Sequence, residues 1–111
     1  MKYVYLARIE GTEIYKIGFT KKEPHLRIEA LQTGNPFKIV LVDYYMSKRA
    51  TKIESIMHRR HQIDKYIQED DSRLLGEWFK LNAKDVSRFK EACKQIDVNL
   101  GVIEQYSTFT N

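Results

Sequence analysis

The sequence predicts a small α+β domain whose mixed or antiparallel sheet begins with a β-hairpin and is flanked by helices. The predicted element order is β-β-α-β-α-β-α. Two runs, residues 2–9 and 13–20, alternate apolar and polar side chains at the strand period, and a turn at Gly11 separates them. Later segments repeat apolar residues at the helical period, and a length of 111 residues fits one domain.

The two strands of the hairpin assign each side chain to one face of the sheet. Tyr3 and Tyr5 share a face of the first strand, whereas the neighbours Tyr15 and Lys16 point to opposite faces of the second. Gly18 lies inside the second strand. A glycine there predicts a bulge, or the close approach of another backbone or a ligand.

The first helix is predicted over residues 21–36. Pro24 suits its first turn, where a missing N–H has no helical partner to lose. Gly34, followed by Asn35 and Pro36, ends the helix. The side chains predicted to face the core are Leu26, Ile28, Ala30 and Leu31.

The remaining segments complete the sheet and cover it. Residues 37–46 form a near-continuous apolar run, which predicts a central strand covered on both faces. Residues 63–76 are polar and mixed, and we expect a loop or an irregular lid there. The other predictions are a second helix over residues 48–62, a short strand over residues 77–81, a third helix over residues 83–100 and a weakly patterned, fraying tail over residues 101–111.

Composition and charge limit the classes of function. A net charge of +4 and a pI of about 9.2 permit a polyanionic partner. No apolar run approaches the roughly 20 residues needed to span a bilayer, and the first residues lack the pattern of a secretory signal. We therefore expect a cytoplasmic protein without a membrane partner. The single cysteine, Cys93, excludes a disulfide framework, and its helical surroundings predict a small core residue.

The hairpin and the elements after it resemble a known nuclease family. The run YVY at residues 3–5 stands where the GIY-YIG nuclease superfamily has GIY, and KIG at residues 16–18 stands where it has YIG. More closely, the motifs YKIG, QTGNP and EWF resemble the T5orf172-like and Mug113-like branch. The resemblance covers residues 1–82, interpreted as a nuclease-like domain. Residues 83–111 are expected to form a C-terminal helix and tail packed on the same domain.

The resemblance implies a divalent-metal-dependent endonuclease that hydrolyses phosphodiester bonds of DNA, with RNA left open as a substrate. It assigns Tyr5 as a candidate general base whose pKa nearby cations would lower. It assigns Arg27 as the clamp on phosphate oxygens and Glu54 as the ligand of a single Mg²⁺ or Mn²⁺ ion. Lys16 replaces the second tyrosine of the family and is expected to activate water together with Tyr5. His58 is expected to support catalysis by hydrogen bonding or by touching phosphate.

Further residues are expected around this site. Basic side chains that suit a nucleic-acid backbone are Lys21, Lys22, Lys48, Lys52 and Arg59, although a solvated helix face explains the same pattern. Structural roles at the site are expected for Tyr15, Gly18 and Trp78. Because the motifs include no dedicated DNA-reading segment, we expect targeting by a homodimer or by a partner protein.

Two alternatives remain open from the sequence. Glu54, His58 and His61 fall within about 60° of one another around the second helix, which suits a transition-metal site. A Glu54–His58 pair without metal fits the same spacing. The other alternative is a nuclease-like module that binds nucleic acid or a partner protein without cutting, because Lys16 departs from the family motif.

Overall fold

Five strands form a single antiparallel sheet in the computed structural model, which describes residues 2–66 and 76–110, with side chains up to residue 106. The strands are β1 (Lys2–Ile9), β2 (Ile14–Thr20), β3 (Ile39–Ser47), β4 (Lys65–Tyr66) and β5 (Trp78–Lys80). Their order across the sheet is β3-β1-β2-β5-β4. The α+β class, the opening hairpin and the flanking helices are therefore confirmed.

The helices divide between the two faces of the sheet. They are α1 (Pro24–Gln32), α2 (Ala50–Arg60), α3 (Ala83–Ser87) and α4 (Phe89–Thr110), and a 3₁₀ turn spans Gln62–Asp64. Helix α1 packs against one face, whereas α2 and α4 pack against the other. We refer to these as the α1 face and the α2 face.

Strand β1 supplies side chains to both cores. Val4 and Leu6 are buried on the α2 face with Phe89 of α4, whereas Tyr5 and Ala7 are buried on the α1 face. Fully burying a large apolar side chain contributes about 1.5–3 kcal/mol. The alternation that the sequence predicts for this strand therefore determines which residues hold each helix layer in place.

Strand β3 lies at the edge of the sheet, so the prediction of a central strand covered on both faces is wrong. Its apolar run is divided between two environments. Tyr45 packs against the core of the α2 face, whereas Val42, Tyr44 and Met46 are exposed. An apolar run in the sequence does not distinguish a strand covered on both faces from one that carries an exposed patch.

Helix α1 packs against the sheet through a different face than the sequence predicts. Ile28 is buried and Leu31 is half-buried, as predicted, but Leu26 and Ala30 are exposed. Residues two positions apart in an α-helix are separated by about 200° of rotation. Contact through Ile28 therefore turns Leu26 and Ala30 toward solvent.

The C-terminal residues form two helices instead of one helix and a frayed tail. Helix α3 begins with a capping box, in which the side chain of Asn82 accepts a hydrogen bond of 2.8 Å from the backbone N–H of Asp85. The helix is interrupted at Arg88, and α4 then runs without a break from Phe89 to residue 110.

Arg49 fastens the extension of α4 to the start of α2. Its guanidinium donates two parallel hydrogen bonds to Glu104, of 2.9 and 2.8 Å, and a third of 3.0 Å to Asp97. It crosses α4 at Gly101, where an added Cβ atom would lie 3.4 Å from Nη2 of Arg49. Asp97, Gly101 and Glu104 lie one to two helical turns apart. The arginine therefore contacts the part of α4 that was predicted from the sequence to be a fraying tail.

The segment predicted as a loop or irregular lid, residues 63–76, is described in part. Its start contains the end of the 3₁₀ turn and the short strand β4. Residues 67–75 lie outside the described residues. Within the described ranges, no helix combines the length and apolar character needed to cross a bilayer.

We expect the thiol of Cys93 to resist dithionitrobenzoate in the folded protein. Cys93 is fully buried in the core of the α2 face, and burial raises the pKa of its thiol to about 12, so the reactive thiolate is scarce at neutral pH. Absorbance should show no reaction during the time in which the urea-unfolded chain reacts completely. Equal rates for the folded and unfolded chains would contradict this burial.

Candidate active site

The candidate site lies beside β2, where the strands among the described residues leave part of its edge unpaired. Strand β5 pairs with residues Ile14 to Lys16 of β2, and the pairing stops at Lys16. One residue further, the carbonyl oxygen of Ile17 accepts a hydrogen bond of 2.6 Å from Nε2 of His58 on α2. A buried carbonyl without a strand partner must be satisfied by another donor. Here the donor brings helix α2 to the open edge of β2.

Tyr5 lies directly over Gly18. The two residues are opposite each other on β1 and β2. A Cβ atom added at Gly18 would lie 2.6 Å from Cε1 of Tyr5 and still closer to the phenol oxygen. Gly18 has no positive φ, so the need for glycine comes from space alone. The sequence predicts a bulge, or the approach of another backbone or a ligand, at Gly18, but the group that approaches Gly18 is the side chain of Tyr5.

Arg27, exposed on α1, lies near enough to the Tyr5 phenol to act on its pKa by hydrogen bonding and by charge. Burial raises the pKa of Tyr5 above its usual value, the hydrogen bond and charge of Arg27 oppose this rise, and the charge of Glu54 adds to it. The phenol therefore keeps its proton at neutral pH. The expectation that nearby cations lower the pKa of Tyr5 is not met, because desolvation outweighs the arginine.

Lys16 occupies a half-buried position between an aromatic ring and a backbone. Its Nζ lies 5.5 Å from the centre of the Trp78 ring, at a distance suited to a cation–π contact. Gly76, with φ of +89°, approaches so closely that a side chain there would collide with Nζ. Tyr15 packs instead into the core of the α2 face. The two neighbours therefore point to opposite faces, as the strand period predicts.

The charge on Lys16 is opposed by its surroundings. Burial lowers the pKa of Lys16, and the positive charge of Arg27 lowers it further. The negative charges of Glu54 and Glu77 raise it, but the net shift is downward. A larger fraction of this amine is neutral near physiological pH than for an exposed lysine.

Glu54 on α2 completes the group. Burial raises the pKa of its carboxyl, the positive charges of His58 and Lys16 oppose this rise, and Glu77 adds to it. A carboxylate whose ionised form is penalised by burial is stabilised by an added cation. The structure thus brings together Tyr5 from β1, Lys16 from β2, Arg27 from α1 and Glu54 from α2, which we call the four-group cluster.

His58 positions α2 against the sheet. Its Nδ1 lies 2.8 Å from Oε2 of Glu77, and its ring packs edge-on against Phe79 with centroids 5.1 Å apart. Lys65 donates a hydrogen bond of 3.2 Å to the other carboxylate oxygen of Glu77. Lys65 and then His58 hold the pKa of Glu77 below its usual range.

Sequence reasoning missed Lys65 and left Glu77 open between a surface carboxylate and a second acid near the metal. The signal for Glu77 is its place in the EWF motif, directly before β5. Lys65 carries no such signal, because its position opposite Phe79 depends on a two-residue strand that the sequence pattern does not reveal.

Glu54 is the residue of the four-group cluster that could hold a divalent ion of the magnesium type. Mg²⁺ is commonly bound through one or two carboxylates while keeping several waters, and Glu77 lies within electrostatic reach of Glu54. Among residues 2–66 and 76–110, no group of three or more His, Cys, Asp or Glu is placed to hold a metal ion. The alternative Glu54–His58–His61 set is not formed there, and His61 has Asp64 as its partner, 3.0 Å from Nδ1.

The basic residues divide between two surfaces. Lys21 and Lys22 line a cavity of about 500 Å³ together with Arg27, so they lie beside one member of the four-group cluster. Lys52 and Arg59 line a different cavity, beside Leu100 of α4. Lys48 and Lys52 act on Glu104, and Lys52 leaves α2 about 200° away from Glu54. The structure does not bring Lys48, Lys52 and Arg59 to the four-group cluster.

The family comparison covers the whole candidate site. A family model described as the T5orf172 domain matches residues 2–95. The matched range includes all of the four-group cluster and extends beyond residue 82 into the first part of α4. No curated protein and no solved structure has a significant match to the chain.

We expect Gly18→Ala to destabilise the fold through its contact with Tyr5. Inserting a methyl group into a packed position typically costs about 1–3 kcal/mol. In a Tyr5→Ala background the same substitution should cost clearly less, because the ring it would strike is absent. Urea unfolding of the wild type, both single variants and the double variant measures this coupling. An equal cost in both backgrounds would contradict the contact.

Proposed function

This chain belongs to the T5orf172 domain family, and on that premise we propose that it is a divalent-metal-dependent endonuclease that hydrolyses phosphodiester bonds of DNA. The observation that carries the proposal is the four-group cluster. A phenol, an amine, a guanidinium and a carboxylate from four separate elements act on one another electrostatically. Phosphodiester hydrolysis requires an activated water, neutralised phosphate charge and a stabilised leaving oxygen. The cluster contains a candidate for each requirement.

Arg27 binds the scissile phosphate. The residue is exposed, and it lies near enough to Tyr5 to act on the pKa of the phenol. A guanidinium can donate two parallel hydrogen bonds to phosphate oxygens, which fixes orientation as well as neutralising charge. Lys21 and Lys22 line the same cavity and bind the flanking phosphates of the DNA backbone.

Lys16 acts as the base, and Tyr5 acts as a hydrogen-bond donor. The Lys16 amine accepts a proton from water, whose oxygen then forms the new bond to phosphorus as the bond to the leaving sugar oxygen breaks. The lowered pKa of Lys16 supports this role. The raised pKa of Tyr5 supports a phenol that keeps its proton and donates it in a hydrogen bond to the phosphate. This division departs from the expectation that Tyr5 is the base.

Glu54 holds the divalent ion. When bound, Mg²⁺ or Mn²⁺ supplies positive charge that stabilises the transition state and the leaving oxygen. His58 and Glu77 act as positioning residues, because their contacts hold α2 at the open edge of β2 and thereby orient Glu54.

The second candidate function is a module that binds DNA without cutting it. The cavity lined by Lys21, Lys22 and Arg27 favours this candidate, since phosphate binding there requires neither a metal ion nor a base. Cleavage assays distinguish the two functions, because only the endonuclease depends on Glu54 and on a divalent ion.

We expect Glu54→Gln to lose at least about 100-fold of its cleavage rate on supercoiled plasmid with Mg²⁺, because a catalytic metal is worth several kcal/mol of transition-state stabilisation. Chelation of the ion should abolish cleavage, and excess Mg²⁺ should restore it. Gel electrophoresis of nicked and linear products measures the rate. Glu91→Gln, which changes an exposed carboxylate of α4, serves as the control and should cleave at the wild-type rate.

Cleavage that is equal in the wild type and Glu54→Gln would contradict the role of Glu54. An absence of cleavage by the wild type, together with DNA binding that Arg27→Ala weakens, would support the binding module instead.

We expect the cleavage rate to rise with pH until the Lys16 amine has lost its proton. A base acts only when deprotonated, and because the pKa of Lys16 is lowered, the rise should be complete below the ordinary lysine value of about 10.4. Lys16→Arg keeps the positive charge but cannot release a proton near neutral pH, so its residual rate should lack this rise. Rates between about pH 6 and 9 test the role. A Lys16→Arg profile parallel to the wild type would contradict it.

A further inference from the structure

Two tyrosines extend the candidate site along the α1 face of the sheet. Tyr3 lies two residues before Tyr5 on the same face of β1, and Tyr44 lies directly opposite Tyr5 on the edge strand β3. Tyr44 and its neighbour Met46 are 43% and 50% exposed. Large apolar side chains that are exposed on a sheet next to a site indicate a surface that binds a ligand or a macromolecule.

The tyrosines line a small cavity beside the start of α1. The cavity has a volume of about 230 Å³. Its other lining residues are Leu41, Met46, Glu23, Pro24 and His25. The rings of Tyr3 and Tyr44 meet edge to face, with centroids 6.0 Å apart and planes at 71°. In such a pair the edge of one ring contacts the face of the other, and Nζ of Lys90 lies 5.3 Å from the centre of the Tyr44 ring. Tyr44 is still 43% exposed, so part of its surface is open to a third ring.

The chemistry of this cavity suits a nucleobase better than a phosphate. Its walls are mainly aromatic and apolar, and its ionisable groups besides the tyrosines are Glu23 and His25, whose side chains lie 3.5 Å apart. A carboxylate repels phosphate but accepts hydrogen bonds from the amino group of a base. The cations suited to phosphate, Lys21, Lys22 and Arg27, line the separate cavity on the other side of α1.

The Tyr3–Tyr44 cavity adjoins the Tyr5 side of the four-group cluster. Tyr3 is two residues from Tyr5 on the same face of β1, and Tyr44 is paired with Tyr5 across β1 and β3. We propose that the Tyr3–Tyr44 cavity binds one unstacked nucleobase of single-stranded DNA, adjacent to the phosphate held by Arg27. A base inside a duplex is stacked and paired on both sides and cannot present its face to a tyrosine. The inference rests on the proposed function and names its substrate class as DNA that is unpaired at the cleavage position.

Fluorescence anisotropy with labelled single-stranded and duplex oligonucleotides tests this subsite. The full-length chain is used with EDTA present, so that binding is measured without cleavage. Tyr44→Ala should weaken single-strand binding between about 5-fold and 100-fold, because stacking of one base on an aromatic side chain strengthens binding by about that factor. Tyr44→Phe keeps the ring and should bind nearly as the wild type does. Tyr106→Ala changes an exposed tyrosine of α4 and serves as the matched control.

A coupled substitution in the DNA makes the test specific. A set of oligonucleotides, each with one abasic position, should contain one that binds wild type as weakly as the intact strand binds Tyr44→Ala. Combining that oligonucleotide with Tyr44→Ala should produce no further loss, because both changes remove the same stacking contact. Additive losses at every abasic position would overturn the subsite. So would duplex binding as tight as single-strand binding together with no effect of Tyr44→Ala.

The outcomes also separate this inference from the proposed function. Plasmid cleavage that depends on Glu54, with no effect of Tyr44→Ala on DNA binding, overturns the subsite and leaves the nuclease intact. Tyrosine-dependent binding of single strands without cleavage supports the subsite and overturns the nuclease. Absence of DNA binding by the wild type overturns both.

Discussion

The hydrogen bond from His58 to the carbonyl of Ile17 is the constraint on which the candidate site depends. Within the described residues, β5 pairs with β2 only as far as Lys16, and the next carbonyl of β2 accepts its hydrogen bond from His58 instead of from a strand. Helix α2 packs on one face of the sheet, whereas Tyr5 and Lys16 point to the other. A continuous sheet would separate these layers. The open edge allows Glu54 of α2 to act on Tyr5 and Lys16 across it.

Burial then sets the protonation of the groups that meet there. Desolvation raises the pKa of Tyr5 and lowers the pKa of Lys16, so it favours a neutral phenol and a neutral amine. Glu54 is also shifted toward its neutral form, a shift that an added cation would reverse. Burial with too few opposite charges is typical of sites that complete their charge balance with a ligand. Gly18 makes this burial possible, since it leaves the space that the Tyr5 ring occupies.

The sequence predicted what depends on local pattern and missed what depends on packing between elements. Strand alternation assigned Tyr15 and Lys16 to opposite faces, and the family motifs selected the residues that the fold brings together. The edge position of β3 could not be predicted, because its exposed Tyr44 and Met46 have the same apolar character as core residues. The extension of α4 was missed because it is fastened by Arg49, which is distant in sequence. Local periodicity contains no information about such partners.

A structure of the protein with Mn²⁺ and a phosphorothioate single-stranded DNA tests the central claim most directly, because anomalous scattering locates the ion and the sulfur identifies the phosphate. The account predicts manganese bound to Glu54, with a phosphate within hydrogen-bond distance of Arg27 and close to both Lys16 and Tyr5. Manganese and phosphate bound at another surface, with the four-group cluster unliganded, would contradict it.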